Sequence, residues 1–201
     1  MRTTLGMVSG KALTIARIVN RFRLRLAAVA LAVAALCLLA LVAPVGAAPT
    51  NDDVPPALGT CQNVQVPAGN RGVFHAYAEG VQVYRWLDGR WNFVAPEAVL
   101  SADATANSAV GIHYAGPTWM SVSGSKVVGT ALESCTADTD AIPWLLLGAV
   151  SSEGRGMFDG VTFVQRVNTV GGQAPNRPGY YPTEEVRVPY KAEYFFYKRQ
   201  P

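Results

Sequence analysis

Short segments rich in β-branched and aromatic residues follow one another along residues 65–201, and turn residues separate each segment from the next. No part of this region repeats apolar residues at the three- and four-residue intervals of an amphipathic helix. Strands at such a spacing are typical of an antiparallel sandwich or barrel. The sequence therefore predicts a single all-β domain of roughly eight to ten short strands.

The clearest turn is Asp88-Gly89, because an Asp-Gly pair between two β-rich runs strongly indicates a hairpin. We also expect Glu79-Gly80 to interrupt the chain between two strands, and residues 96–100 (PEAVL) to form one helical turn, since proline and glutamate favour a first turn. The predicted strands are residues 73–77, 81–86, 91–94, 110–114, 118–122, 126–132, 143–150, 161–168 and 187–197.

The order of apolar and polar residues in three of these strands predicts which side chains are buried or share a face. Residues 143–150 are continuously apolar, which indicates a strand buried on both faces. In residues 187–197, Tyr194 and Phe196 lie opposite Phe195 and Tyr197. In residues 161–168, one face carries Val161, Phe163, Gln165 and Val167, and the other carries Thr162, Val164, Arg166 and Asn168.

The first 47 residues have the pattern of a secretory signal peptide. Residues 1–25 carry six basic and no acidic residues, and residues 26–45 contain no charge. Small residues then precede a cleavage point after Ala47, as export signals require. The predicted organisation is a signal peptide over 1–47, an extended polar and proline-rich leader over 48–64, and one β domain over 65–201.

An uncleaved membrane anchor is the alternative for the same segment, because about 20 apolar residues suffice to cross a bilayer. Pro44, Gly46 and the small residues at the boundary favour cleavage. The β domain leaves the cytoplasm in either case. We therefore expect a secreted, periplasmic or cell-envelope protein exported by a Sec-type signal, whose only membrane contact is this segment before cleavage.

The charge distribution argues against a nucleic-acid ligand. The formal net charge of +3 comes from the first 25 residues, which hold six of the 17 basic residues. The remaining 11 basic residues face 14 acidic residues, which makes the net charge of the rest of the chain −3. Neutralising phosphates needs a basic surface that this composition does not supply.

Cleavage would remove Cys37 and leave Cys61 and Cys135 in the exported domain. An even number of cysteines in an exported domain indicates a disulfide. No Cys-x-x-Cys motif is present, and a zinc site would have only His75 and His113 as further ligands. We predict a structural disulfide, no metal site and no cofactor.

Seven sequence strings, taken in order, resemble one protein family. They are residues 80–84 (GVQVY), 113–119 (HYAGPTW), 124–127 (GSKV), 142–146 (IPWLL), 165–169 (QRVNT), 171–175 (GGQAP) and 188–197 (VPYKAEYFFY). Together they are similar to the Domain of Unknown Function 3455 family of mostly exported bacterial and fungal proteins. Relatives usually carry cysteines where this chain has Trp86 and residues 176–178, so its disulfide arrangement is expected to differ.

The resemblance implies no catalytic residues, since the family has no established activity. Some fungal members carry a malate dehydrogenase label. The sequence gives that label no support, because the chain has neither a Gly-x-Gly-x-x-Gly motif between a strand and a helix nor an alternating βα pattern.

His113 is the leading candidate for chemistry, because it ends a short strand beside a Gly-Pro turn and histidine acts as a general base near neutral pH. The alternative is a half-buried histidine that hydrogen-bonds a turn carbonyl. Ser121, Ser123 and Ser125 lie close to it in sequence, but no Gly-x-Ser-x-Gly elbow is present. Trp91 and Trp119 are the aromatic candidates for a ligand-binding face.

Polar residues on two of the predicted strands complete the candidate binding set. Arg166 has a planar fork suited to an anionic ligand, or it forms an internal ion pair with Glu79, Glu193 or another acid. The full candidate binding set is Gln82, Tyr84, His113, Trp119, Gln165, Arg166 and Thr169.

These residues favour a non-enzymatic secreted or cell-envelope binding protein for a small molecule or a glycan. One alternative is a secreted hydrolase that uses His113 with an acid or serine. Another is a purely structural envelope protein. A pocket that places His113 beside a carboxylate would favour the hydrolase, and a histidine bonded to backbone would favour binding.

Overall fold

The computed structural model describes residues 54–201, and the predicted signal peptide lies outside them. Eight antiparallel strands form one closed barrel in sequence order, with β1 pairing with both β2 and β8. This confirms the predicted all-β class and shows that the domain is a barrel rather than a sandwich. The strands are β1 Asn70–Leu87, β2 Arg90–Ser101, β3 Ala109–Tyr114, β4 Thr118–Ser121, β5 Lys126–Cys135, β6 Trp144–Glu153, β7 Val161–Gly171 and β8 Glu185–Arg199.

The β1–β2 connection is the predicted two-residue hairpin. Asp88 and Gly89 have φ angles of 54° and 76°, and Leu87 pairs with Arg90 on either side of them. Positive φ at both loop residues matches the right-handed twist of the flanking strands. The Asp-Gly pair therefore sets the register of the first hairpin.

The predicted break at Glu79-Gly80 is wrong, because β1 runs through it without interruption. Gly80 lies opposite Ala98 of β2, and a Cβ atom on Gly80 would overlap the Glu97 carbonyl and Ala98. The glycine permits a close approach of two strands rather than a turn.

The predicted helical turn at residues 96–100 is also wrong, because these residues belong to β2. Pairing with β1 continues through Pro96, which lies opposite Gln82. Val94 is an extra residue in this ladder, between Phe93 opposite Tyr84 and Ala95 opposite Val83. Such a bulge accommodates a nearby proline, and the long ladder outweighs the local preference for a helical turn.

A second bulge changes the predicted faces of β7. Val161 pairs with Lys198 and Phe163 pairs with Tyr197, which leaves Thr162 as the extra residue. Val161 and Val164 consequently both join the main core, whereas simple alternation predicts opposite faces. The prediction for Tyr194 and Phe196 is confirmed, since both belong to this core.

The main core fills the interior of the barrel. Its largest fully buried side chains are Trp119, Tyr194, Phe158 and Phe196. Phe196 packs against Phe158 with ring centroids 4.7 Å apart, and against Trp119 with centroids 6.0 Å apart. The aromatic cluster fills only part of the barrel interior.

The segment before β1 packs on the outside of the barrel. Leu58 and Val66 contact a separate apolar cluster of Val167, Phe195 and Tyr197. These three side chains lie on the outer face of β7 and β8, opposite the interior side chains of the same strands. A single 3₁₀ turn, Gln62–Val64, follows Cys61. The predicted disulfide between Cys61 and Cys135 is present and ties this segment to β5.

Within residues 54–201, no helix is both long enough and apolar enough to span a membrane. The leader expected over residues 48–64 is described only from residue 54, where it contains no strand.

Candidate functional site

A cavity of about 240 Å³ occupies the part of the barrel that the aromatic cluster leaves open. All eight strands contribute to its wall, together with the turn between β3 and β4. The lining residues are Gln82, Phe93, Val94, Pro96, His113, Gly116, Pro117, Trp119, Thr130, Ala131, Leu145, Leu147, Arg166 and Tyr194. Most of these side chains are apolar, and the polar ones converge from different strands. Concave sites of this composition are typical of small-molecule binding.

His113 lines the cavity in a neutral form. Its Nδ1–H donates a hydrogen bond to the Thr118 carbonyl at 2.9 Å, which leaves Nε2 as an acceptor. Its ring stacks on Trp119 with centroids 4.5 Å apart. Burial lowers the pKa of His113 to about 3, the Thr118 hydrogen bond opposes this effect, and the charge of nearby Arg166 adds to it.

Three buried groups of the cavity wall lack hydrogen-bond partners within residues 54–201. They are Gln82 Nε2, Trp119 Nε1 and the Tyr194 hydroxyl. The three side chains are 2%, 0% and 0% exposed. Buried polar groups are normally hydrogen-bonded, and an unpaired one costs about 1–3 kcal/mol. Each of them is therefore an unused hydrogen-bonding group in the wall of the cavity.

Arg166 is the one charged side chain in the cavity wall. Its Nε and Nη2 donate to the Pro143 carbonyl at 3.1 and 2.7 Å, which fixes the orientation of the guanidinium. The predicted ion pair is absent there, because Glu79 pairs with Lys191 and Glu193 contacts His75.

Two tyrosines extend the polar part of this region. Burial raises the pKa of Tyr194, and the guanidinium of Arg166 lowers it in part. Burial also raises the pKa of Tyr190, with a further increase from Tyr194. Both hydroxyls therefore keep their protons at physiological pH. Tyr190 has no hydrogen bond of normal geometry within the described residues, like Tyr194.

Bulges shape the rim of the cavity. Val94, the extra residue of β2, lines the cavity beside Phe93, which is 55% exposed. On the other side, Leu132 is an extra residue in β5 directly after Ala131, which also lines the cavity. Bulges bend a strand and redirect its side chains, and both of these bulges include or adjoin residues of the cavity wall.

The structure brings together four of the seven predicted binding residues: Gln82, His113, Trp119 and Arg166. The other three, Tyr84, Gln165 and Thr169, do not line this cavity and have internal partners. The Tyr84 hydroxyl donates to the Gly172 carbonyl, Gln165 Nε2 to the Val64 carbonyl and the Thr169 hydroxyl to the Ile142 carbonyl, at 2.7, 2.6 and 2.6 Å.

The serines near His113 in sequence lie away from the cavity wall. Ser121 Oγ contacts Ser123 Oγ at 2.9 Å and Ser125 Oγ at 2.8 Å, and Ser125 Oγ accepts from the Phe158 amide. No carboxylate of residues 54–201 lines the cavity. Among residues 54–201, the wall of this cavity therefore gives His113 neither a serine nucleophile nor an acid of the kind that a serine hydrolase uses.

Trp91 is part of a surface cluster rather than an open binding face. Its Nε1 donates to the Arg177 carbonyl at 2.7 Å, and its ring packs edge-to-face on Trp86. Arg177 in turn makes a two-pronged contact with Glu184, whose carboxylate also accepts from the Tyr180 amide. These contacts attach the loop before β8 to the first hairpin.

Tyr194 is the main residue that the sequence reasoning missed. The alternation of β8 placed its side chain on the face shared with Phe196, which is the interior face. A tyrosine on an interior face brings a hydroxyl into the barrel, and this feature of the sequence could have identified Tyr194 as a candidate binding residue. Leu145 and Leu147 were recognised as buried, but not as walls of a cavity.

Residues 67–198 match a family model described as "Protein of unknown function (DUF3455)". The chain belongs to this family. The match confirms the resemblance found in the sequence strings. No curated protein and no solved structure matches the chain significantly.

The DUF3455 region contains all the residues that line the cavity. It includes Cys135 but begins after Cys61, so the disulfide joins the family region to the segment that precedes it. The cavity therefore belongs to the DUF3455 barrel itself, whereas the outer covering of β7 and β8 includes residues outside the match.

Proposed function

We propose that this protein binds a small organic molecule inside its barrel and acts as an exported binding protein. The observation that carries the proposal is the set of three unpartnered buried groups, Gln82 Nε2, Trp119 Nε1 and the Tyr194 hydroxyl, on the wall of one cavity. A ligand that enters the cavity would supply the missing hydrogen bonds. Its apolar part would contact side chains such as Leu145 and Leu147.

The environment of His113 supports binding rather than hydrolysis. A general base works best with a pKa near the operating pH, whereas burial holds the pKa of His113 at about 3. Its Nδ1 is committed to the Thr118 carbonyl, and the cavity wall contains no carboxylate to orient or charge the ring. In this proposal, His113 is an uncharged part of the cavity wall, and its Nε2 accepts a hydrogen bond.

The environments of Trp91 and Trp119 support a small ligand rather than a glycan chain that stacks on these two rings. Trp119 is fully buried, and the Trp91 N–H is occupied by the Arg177 carbonyl. A glycan-binding face needs exposed rings on which sugars stack.

The proposal that the protein is exported rests on residues 1–47, which begin with basic residues and continue with a charge-free run. This pattern supports a secreted or cell-envelope location.

The test is a titration of the oxidised protein with the neutral, apolar fluorophore N-phenyl-1-naphthylamine. We expect a saturable fluorescence increase and a rise in melting temperature, because a ligand that binds only the folded state stabilises it. Ala131→Trp places a large ring in the cavity wall and is expected to abolish both signals. Leu132→Trp is the matched control, since the neighbouring Leu132 does not line the cavity.

Loss of binding in Ala131→Trp, with retention in Leu132→Trp, would support a binding site inside the barrel. Absence of saturable binding to the wild type would contradict the proposal. Equal binding to both variants would also contradict it, because it would place the fluorophore on the outer surface.

A further inference from the structure

We propose that the ligand of the barrel cavity is a small apolar monocarboxylate whose carboxylate group is held by Arg166. This inference rests on the proposed function and specifies its ligand class. It combines the charge of the cavity wall, the hydrogen-bonding groups that remain unused there and the apolar character of the other side chains.

The charge of the wall favours an anion. Arg166 is its only charged side chain, and no carboxylate of residues 54–201 forms an ion pair with it. Arg166 is partly buried in a largely apolar wall, where an anionic partner is favourable for a guanidinium. The Pro143 carbonyl accepts from Nε and Nη2, and this neutral acceptor does not balance the positive charge.

Hydrogen-bond donors in the cavity wall also favour a ligand that accepts hydrogen bonds. The Gln82 amide nitrogen and the Trp119 indole nitrogen only donate hydrogen bonds, and both are buried without a partner in the described region. The Tyr194 hydroxyl lies close enough to Arg166 for its pKa to respond, so it borders the guanidinium in the same wall. A carboxylate has two oxygens with about four acceptor positions, which suits a cavity wall that contains a guanidinium and further donors.

The number of charges limits the ligand to one negative group. Arg166 supplies one positive charge, and His113 adds none because it is neutral at physiological pH. A dianion such as a phosphate monoester would retain an uncompensated charge in an apolar cavity, which is unfavourable. Phe93, Leu145 and Leu147 provide an apolar wall for the body of the ligand.

The experiment compares three ligands with one apolar body: 3-phenylpropanoate, 3-phenylpropanamide and 3-phenylpropylamine at pH 7.5. Each displaces N-phenyl-1-naphthylamine from the wild-type protein. We expect the carboxylate to bind about tenfold or more tightly than the amide, as a charge-assisted hydrogen bond would give. The amine is expected to bind most weakly, because it places a second positive charge beside Arg166.

Arg166→Gln should reduce the affinity for the carboxylate to that for the amide and leave the amide affinity nearly unchanged. Arg166→Lys should retain part of the preference, since it keeps the charge but loses the planar fork. Arg85→Gln is the matched control: Arg85 pairs with Glu185 on the exposed surface and does not line the cavity. It should bind all three ligands like the wild type.

Equal affinities of the wild type for the carboxylate and the amide would overturn the inference. An unchanged carboxylate preference in Arg166→Gln would overturn it as well. If that variant does not fold, the order of the three ligands on the wild type decides. Binding of the fluorophore without a carboxylate preference would remove this inference alone, whereas absence of fluorophore binding would remove the proposed function as well.

Discussion

His113 illustrates how the surroundings of one residue change its chemistry. In water, histidine titrates near neutral pH and serves as a proton acceptor. Inside the barrel, its ring stacks on Trp119 and its Nδ1–H is held by the Thr118 carbonyl. Burial, reinforced by the charge of Arg166, lowers its pKa to about 3. The residue therefore remains neutral wherever the protein is folded and the pH is physiological.

This lowered pKa predicts a stability loss in acid. The unfolded chain protonates His113 below about pH 6.5, whereas the folded protein resists protonation until about pH 3. The contribution is fully present above pH 6.5 and decreases as the pH falls between these values. His113→Gln lacks it, so the stability difference between wild type and variant should shrink by about 1–2 kcal/mol from pH 7.5 to pH 5.

Denaturant unfolding of both proteins at the two pH values measures this change. The other titrating groups are common to wild type and variant, so their contributions cancel in the difference. A constant difference between pH 7.5 and pH 5 would contradict a buried neutral imidazole.

At the scale of elements, the segment before β1 is held by one covalent link and one apolar contact area. Cys61 is joined to Cys135 on β5, and Leu58 and Val66 pack on outer residues of β7 and β8. The Val64 carbonyl accepts the hydrogen bond of Gln165, a residue that neighbours Arg166 but faces away from the cavity. This segment therefore stabilises the outside of the barrel and leaves the binding residues free.

Removal of the disulfide should consequently lower stability without changing the cavity. The linked cysteines are 74 positions apart in sequence, and a closed loop of this size contributes about 4 kcal/mol in the chain-entropy description. The double variant Cys61→Ser/Cys135→Ser should lose up to this amount in denaturant unfolding. Fluorophore affinity at a temperature where the variant is folded should match that of the wild type.

Reduction of the wild type with a thiol provides the control, since it should reproduce the loss and have no effect on the double variant. A large drop in fluorophore affinity in the folded variant would show that the outer segment shapes the cavity, contrary to this expectation.

At the scale of the whole molecule, the barrel is closed by ladders of unequal length. β1 and β8 pair from Asn70 opposite Arg199 to Arg85 opposite Glu185. β6 and β7 pair only from Leu145 opposite Arg166 to Gly148 opposite Phe163. Because a strand with long ladders on both sides opens only with the whole fold, β1 and β8 form the stable part of the barrel.

Amide hydrogen exchange should reveal this gradient. We expect the slowest exchange in β1 and β8, and faster exchange in the ends of β6 and β7 beyond their short ladder. A saturating cavity ligand should slow exchange in β6 and β7 most, since Leu145, Leu147 and Arg166 contact it in the proposed complex. Uniform protection of all eight strands, or slowest exchange in β6, would contradict this gradient.

Local sequence patterns were sufficient for most of the elements and insufficient for their continuity. Asp88-Gly89 was recognisable because few residues tolerate positive φ at both positions of a two-residue loop. Gly80 and Pro96 resemble breaks in the same local sense, yet both lie within strands because long ladders hold them there. The bulge at Thr162 reverses the face of Val161, and a two-residue period does not contain that information.

The sequence by itself determined the all-β class, most of the turns, the Cys61–Cys135 disulfide and the family, because these depend on residue types read in order along the chain. Only the tertiary structure decided which polar residues meet. Barrel closure brings Gln82, His113 and Arg166 to one cavity from strands far apart in sequence. Strand alternation turns Gln165 away from Arg166, and burial makes His113 a neutral wall rather than a base.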